Sequence, residues 1–247
     1  MLKLISLNIE RDKHLETTLP FFQKEKPDVI CLQEVFEDML PIYEKALIMK
    51  SFFKPMCYYR ISNSGKDEWK VLGVAILTNF KTVGSYQYII GDDKNIPKFM
   101  RAEKAKTERN NTNILLMWAD ISDSTGKVYR IASTHFTWTP DGQTTAYQKE
   151  DASKITAILD EQLKEFVLVG DLNAPRGGET FGIFAAKYKD NIPQEYDSSI
   201  DPKLHRAPGL VFMVDGLFST PKYLAKDVRL IEGISDHKAV VAYIDRE

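Results

Sequence analysis

The sequence predicts an α/β (or α+β) fold in which two mixed sheets pack face to face with helices on the outside. Short apolar or β-branched runs recur along the whole chain, and amphipathic helical stretches separate some of them. The helices are too few, against the number of strands, for a (β/α)8 barrel. With 247 residues, 43% hydrophobic and 28% charged, the chain has the composition of a globular protein with a substantial core. No linker, low-complexity tract or internal repeat interrupts it, so residues 1–247 read as one domain.

The elements follow in order. Leu2–Ile9 begins with alternation and stays strand-like. With a strand starting at Leu2 no leader is expected, and no stretch reaches the length of a membrane span. Cys31 and Cys57 offer neither a disulfide framework nor a zinc spacing, so a reducing, cytoplasmic setting is expected. Leu15–Lys26 reads as a helix whose regular part starts at Pro20, and Asp28–Val35 as a strand with Cys31 in the core. Glu37–Met49 is a helix with Pro41 near its first turn, and Val71–Thr78, Ile114–Ile121 and Val128–Thr134 are strands. The turn "TPDG" precedes a helix over Thr144–Lys164, where Ala152, Ile155, Ile158, Leu159 and Leu163 recur at helical steps. Phe166–Gly170, Leu210–Phe218 and Ala239–Ile244 complete the strands.

Polar residues collect at one end of these apolar runs. Asn8 follows the first, Gln33 and Glu34 lie at the end of the second, and His135 follows Val128–Thr134. Asp171 and Asn173 follow Phe166–Gly170, Asp215 follows "LVFMV", and Asp236 and His237 stand just before the last strand. A single polar residue at a strand end is a turn, but this set is chemically coherent. Carboxylates and carboxamides suit a hard metal ion, and histidines suit phosphate or proton work. Ligand sites of open α/β sheets form where strand ends and their loops converge.

The segments "SLNIE", "DVICLQEV", "STHF", "GDLNAP", "VDGLF" and "ISDH", in that order, resemble the endonuclease/exonuclease/phosphatase (DNase I-like) superfamily. The resemblance runs from Asn8 to His237 and implies a four-layer α/β sandwich and a Mg2+- or Mn2+-dependent phosphoric ester hydrolase. It implies that Glu34 is the principal metal ligand, that Asn8 holds the metal or Glu34, and that Asp236 lies near the metal. Asp171 would orient or deprotonate the attacking water, and Asn173 would donate to a phosphate oxygen. His237 would face the scissile phosphate as general base or charged stabiliser, with Asp215 fixing its tautomer. His135 matches nucleases of the DNase I type and sphingomyelinases rather than abasic-site endonucleases, which carry a tyrosine here.

Candidate substrate contacts are Arg101 in "KFMRAEKAKTERNN", Arg176 in "APRGGETFG" and His205 in "KLHRAPG". Trp138, just after His135, is a candidate stacking residue, and His14 reads as a surface residue. A net charge of −2 gives no bulk attraction to nucleic acid, so binding would rest on a local patch. The reading is a monomeric phosphodiesterase, first a nuclease or nucleic-acid repair enzyme. The alternatives are a phospholipid (sphingomyelinase-like) or small-molecule phosphoesterase and, in another class, a catalytically inactive binding module on the same fold.

Overall fold

The computed structural model describes residues 1–63, 66–99, 111–207 and 209–247. The strands are β1 (Leu2–Asn8), β2 (Val29–Phe36), β3 (Lys50–Asn63), β4 (Lys66–Thr78), β5 (Lys81–Ile90), β6 (Lys98–Phe99) and β7 (Ile114–Ser122). They continue with β8 (Val128–His135), β9 (Val167–Asp171), β10 (Lys189–Asp190), β11 (Asp215–Ser219), β12 (Tyr223–Ile231) and β13 (Ala239–Arg246). The α-helices are α1 (Leu15–Glu25), α2 (Leu40–Leu47), α3 (Ala146–Ile158) and α4 (Glu179–Ala185).

Among the described residues the strands form two mixed sheets, ordered β12-β13-β1-β2-β4-β3-β6 and β10-β11-β9-β8-β7-β5. Each sheet holds a parallel pair at its heart, β1 with β2 and β8 with β9. Burial on both faces explains why β1 and β2 are apolar almost throughout. Leu2, Leu4, Val29 and Cys31 enter the core shared with the six-stranded sheet, while Ile5, Leu7, Ile30 and Leu32 pack with Phe21, Phe22 and Tyr43 of α1 and α2. On the far side, Phe181 and Phe184 of α4 meet Phe218 of β11, and Phe184 also meets Phe136. The predicted layering of helices, sheet, sheet and helices is therefore the observed one. No helix among the described residues is long and apolar enough to cross a membrane.

Several local details differ from the sequence reading. Helix α1 begins at Leu15 and keeps Pro20 inside it. The missing proline N–H removes one helical bond, while the residues that follow, Phe21 and Phe22, are buried against the outer face of the seven-stranded sheet. The apolar run from Leu210 pairs as a strand only from Asp215. Before that, Met213 and Val214 use their carbonyls to accept from Arg176 N and Leu172 N, a loop-to-loop pairing that fixes the segment after β9. Cys57 is buried like Cys31, and burial pushes both thiols up to about 12.

Candidate active site

The two parallel pairs end side by side, and their last residues meet between the sheets. Asn8 has the pleat parity of Leu2, Leu4 and Ser6, so its side chain enters the space between the layers. Its Nδ2 donates to Asp171 Oδ2 at 3.2 Å in the opposite sheet and lies 3.4 Å from Glu34 Oε1. Beneath it, Gln33 Nε2 donates at 3.3 Å to Ser6 Oγ and, across the layers, to Ser133 Oγ. These polar ties register one sheet against the other directly under the site.

Glu34 is aimed by a bulge. The β2–β4 register runs Leu32 to Ala75 and resumes at Val35 to Gly73, so Gln33 and Glu34 oppose a single residue. Glu34 takes a φ of 52° in the left-handed region, a conformation that a non-glycine residue keeps only where its surroundings enforce it. Bulges re-aim side chains near functional sites, and this one turns the Glu34 carboxylate into the cleft.

In the second sheet, Asp171 of β9 stands in register with His135 on β8 and Asp215 on β11, so three predicted residues occupy one row. Gly170 makes the row possible. Its φ is 133°, and a Cβ there would lie 2.0 Å from Thr134 O. Asn173, at φ 50°, donates its backbone N–H to Asp171 Oδ1 at 2.8 Å. Its Nδ2 donates to Phe136 O at 2.9 Å, leaving a second amide hydrogen on that nitrogen. His237 Nδ1 lies 2.8 Å from Asp215 Oδ2, which directs Nε2 toward Asp171 Oδ2 at 3.7 Å. His135 Nε2 lies 3.6 Å from the same oxygen. Burial by itself would lower the His237 pKa, but Asp215 foremost, with Asp171 and Asp236, holds it well above the usual imidazole range.

A cleft of about 500 Å³ opens over this row. Glu34, Asp171, Asn173, His135, Asp236, His237 and His205 line it, whereas Asn8 and Asp215 lie buried behind their partners. Burial pushes the Asp236 acid up, and the neighbouring Glu10 and Glu34 carboxylates add to the effect. The other wall is apolar, with Met56, Tyr59, Leu72, Phe99 and Phe136, and Trp138 at 42% exposure.

One predicted contact falls elsewhere. Arg176 does not line the cleft. Its guanidinium pairs with Asp190 at 2.9 Å and donates to the carbonyls of Ile192, Pro193 and Tyr196, so it ties loops together. Arg101 lies outside the described residues. The turn after β1 joins the site without having been anticipated from sequence. Glu10 and Arg11, both at positive φ, line the cleft, and His14, read as a surface residue, places Nε2 3.1 Å from Glu10 Oε2. The spacing Asn8-x-Glu10 at a strand end was the available signal.

The loop carrying Asp236 and His237 is anchored by buried Asp201. Its carboxylate accepts from the backbone N–H groups of Lys203, Leu204 and Gly233, and its own N–H donates to Asp236 O. Burial would raise the Asp201 pKa, but these donors lower it overall. A depressed folded-state pKa gives stability that is complete above the unfolded value of about 3.9 and lost as pH falls through the folded value. Asp201→Asn should therefore cost about 1–2 kcal/mol at pH 7, the difference between charged and neutral acceptors. In urea melts the gap from the wild type should close as the pH is taken below about 3.9.

The chain belongs to the endonuclease/exonuclease/phosphatase family, whose model matches residues 5–237. No curated protein matches the chain in sequence. Among solved structures, it is similar to an endonuclease/exonuclease/phosphatase from Bacteroides vulgatus at 16% identity, covering 100% of this chain and 99% of that one with a TM-score of 0.72. It is similar to the human Nocturnin catalytic domain with bound sulfate at 17% identity, covering 100% and 93% with a TM-score of 0.69. The mannosyl-6-phosphatase of Bacteroides thetaiotaomicron gives 15% identity, coverage of 99% and 100%, and a TM-score of 0.67. At these identities the likeness is one of fold.

Proposed function

We propose that the protein is a divalent-cation-dependent phosphodiesterase working as a monomer on its single domain, with nucleic acid as its first substrate class. The observation that carries the reading is His237, paired with Asp215 and 3.7 Å from Asp171 at the cleft, with a group of oxygen donors beside it. Those donors fit a hard cation such as Mg2+ or Mn2+. Asp236 is buried near the negative charges of Glu10 and Glu34, an arrangement that calls for a cation. Glu34 would hold the ion, with Asp236 and Glu10 beside it and Asn8 fixing the Glu34 carboxylate. When bound, the ion supplies neutralisation of charge that builds on the phosphoryl oxygens.

The remaining roles belong to side chains. Asp171 has Oδ1 occupied by Asn173 N and Oδ2 shared among Asn8, His135 and His237, so its carboxylate is oriented to accept a proton from an attacking water. His237, held protonated by its carboxylate neighbours, offers Nε2–H to a phosphoryl oxygen as charged stabiliser. The free amide hydrogen of Asn173 adds a neutral donor on the same side.

The apolar wall supports a second reading, a phospholipid or small-molecule phosphoester with a hydrophobic or planar group next to its phosphate. One screen separates the two. Purified protein with Mn2+ is offered single-stranded DNA, RNA, sphingomyelin and lysophospholipid vesicles, and sugar phosphates. The first reading predicts nucleotide release from DNA or RNA; turnover confined to lipid or sugar phosphate overturns it in favour of the second, and turnover of none supports the inactive binding module.

A further inference from the structure

Arg11 occupies an unusual position for a cation in a site built to attract one. Its Nη1 lies 2.8 Å from Glu34 Oε2 and its Nη2 2.9 Å from Glu10 Oε1, so one guanidinium spans both carboxylates. The backbone sets this up. Glu10 and Arg11 take φ values of 46° and 71°, Glu10 N donates to Asn8 Oδ1, and Arg11 N donates to the carbonyl of Glu34 itself. Two successive non-glycine residues in the left-handed region are costly, and such strain persists where surrounding bonds enforce it. The guanidinium lies 4.7 Å over the Tyr59 ring, on the apolar wall of the cleft.

We propose that Arg11 is a built-in counter-cation that a divalent ion displaces from Glu34, and that the displaced guanidinium then serves as a phosphate contact in the same cleft. The inference rests on the reading of Glu34 as the ion's principal ligand. Without an ion, Glu10, Glu34 and Asp236 would repel one another, and Arg11 neutralises part of that charge. Its ion pair with Glu34 is partly exposed, with 15% and 21% of the two side chains accessible, so water and salt weaken it. A doubly charged ion competes for Glu34 with the stronger field, and like charge then repels the guanidinium. The Tyr59 face provides a cation–π surface beside the cleft that does not depend on Glu34. Arginine suits the second role because its fork matches a phosphate through paired hydrogen bonds. Ion and substrate thus become coupled: the ion frees the group that recognises the phosphate.

The test is Mn2+ binding by titration calorimetry, with no turnover involved, on the wild type, R11Q, R11K, K13Q and E34Q. Lys13 also pairs with Glu10 but is half exposed, so K13Q removes the same unit of charge without vacating Glu34. Removing the competitor should tighten Mn2+ binding about tenfold in R11Q, with R11K intermediate and K13Q within about twofold of wild type, since an exposed charge is screened. With Mn2+ saturating, R11Q should bind inorganic phosphate about tenfold more weakly, as expected for loss of a charge-assisted pair. Unchanged or weaker Mn2+ binding in R11Q, or an equal gain in K13Q, overturns displacement; undiminished phosphate binding overturns the second role. A wild type that binds no Mn2+, or an E34Q that binds it as well as the wild type, removes the underlying reading of Glu34 instead.

Discussion

His237→Ala and Asp171→Asn should each lower kcat by about 100-fold or more while leaving the melting temperature within a few degrees of wild type. General acid–base groups and preorganised charge stabilisers are each typically worth about 100-fold or more in rate. Both side chains sit where strand ends meet the cleft, and Asp171→Asn keeps the shape and an oxygen that can accept from Asn8, so the fold should tolerate either change. Their partners sharpen the expectation. Asp215 pairs with His237 Nδ1 at 2.8 Å. Asp215→Asn should therefore lower kcat alone, yet the double variant with His237→Ala should be little worse than His237→Ala. Multiplicative losses would give Asp215 a separate job. Steady-state kinetics on the two single variants and the double, at fixed Mn2+, reads all of this.

Glu34→Gln should weaken Mn2+ binding by about 100-fold or more, because it replaces the charged oxygen donor that the cleft presents most openly to a hard ion. The substitution preserves shape and leaves the hydrogen-bond acceptor that faces Asn8 Nδ2 at 3.4 Å. Glu34 sits with other carboxylates and its ion pair with Arg11 is partly exposed, so neutralising it should cost the fold little. The pair of results, lost ion binding with an intact melt, distinguishes a ligand from a structural residue. Binding equal to wild type would transfer the ligand role to Glu10 and Asp236.

His135 and Asp171 were legible because apolar run length fixes where a strand ends, and polar residues repeated at that edge exceed what turns require; Asp215 was found by the same pattern although it opens its strand rather than ending one. The same holds for Asn8, whose alternation with Leu4 and Ser6 points it between the sheets. Glu34 was legible as a residue but not as a geometry, since its aim depends on a bulge set by β4 across the ladder. Arg176 misled because its partner, Asp190, and the carbonyls it binds belong to a later loop that local sequence does not bring near. The turn Glu10–His14 was passed over since a charged stretch after a strand looks like any solvated turn; only the approach of Glu34 and Asp236 makes it part of the cleft. Strand β3 escaped notice for a related reason. Pro55 reads as a breaker, yet it falls at a bulge in the β3–β4 ladder, where a missing N–H is tolerated. The edge strand β5 has no fully buried residue and lacks clean alternation.

Phosphoester hydrolysis that needs an ion at this cleft is tested most directly with bis(p-nitrophenyl) phosphate and purified protein. The measurement is nitrophenolate release from one sample, first with Mn2+, then with excess EDTA, then with Mn2+ restored. Release should stop with chelator, recover on restoration, and be absent in Glu34→Gln throughout. Full turnover by metal-stripped protein in excess chelator would contradict an ion-dependent reaction.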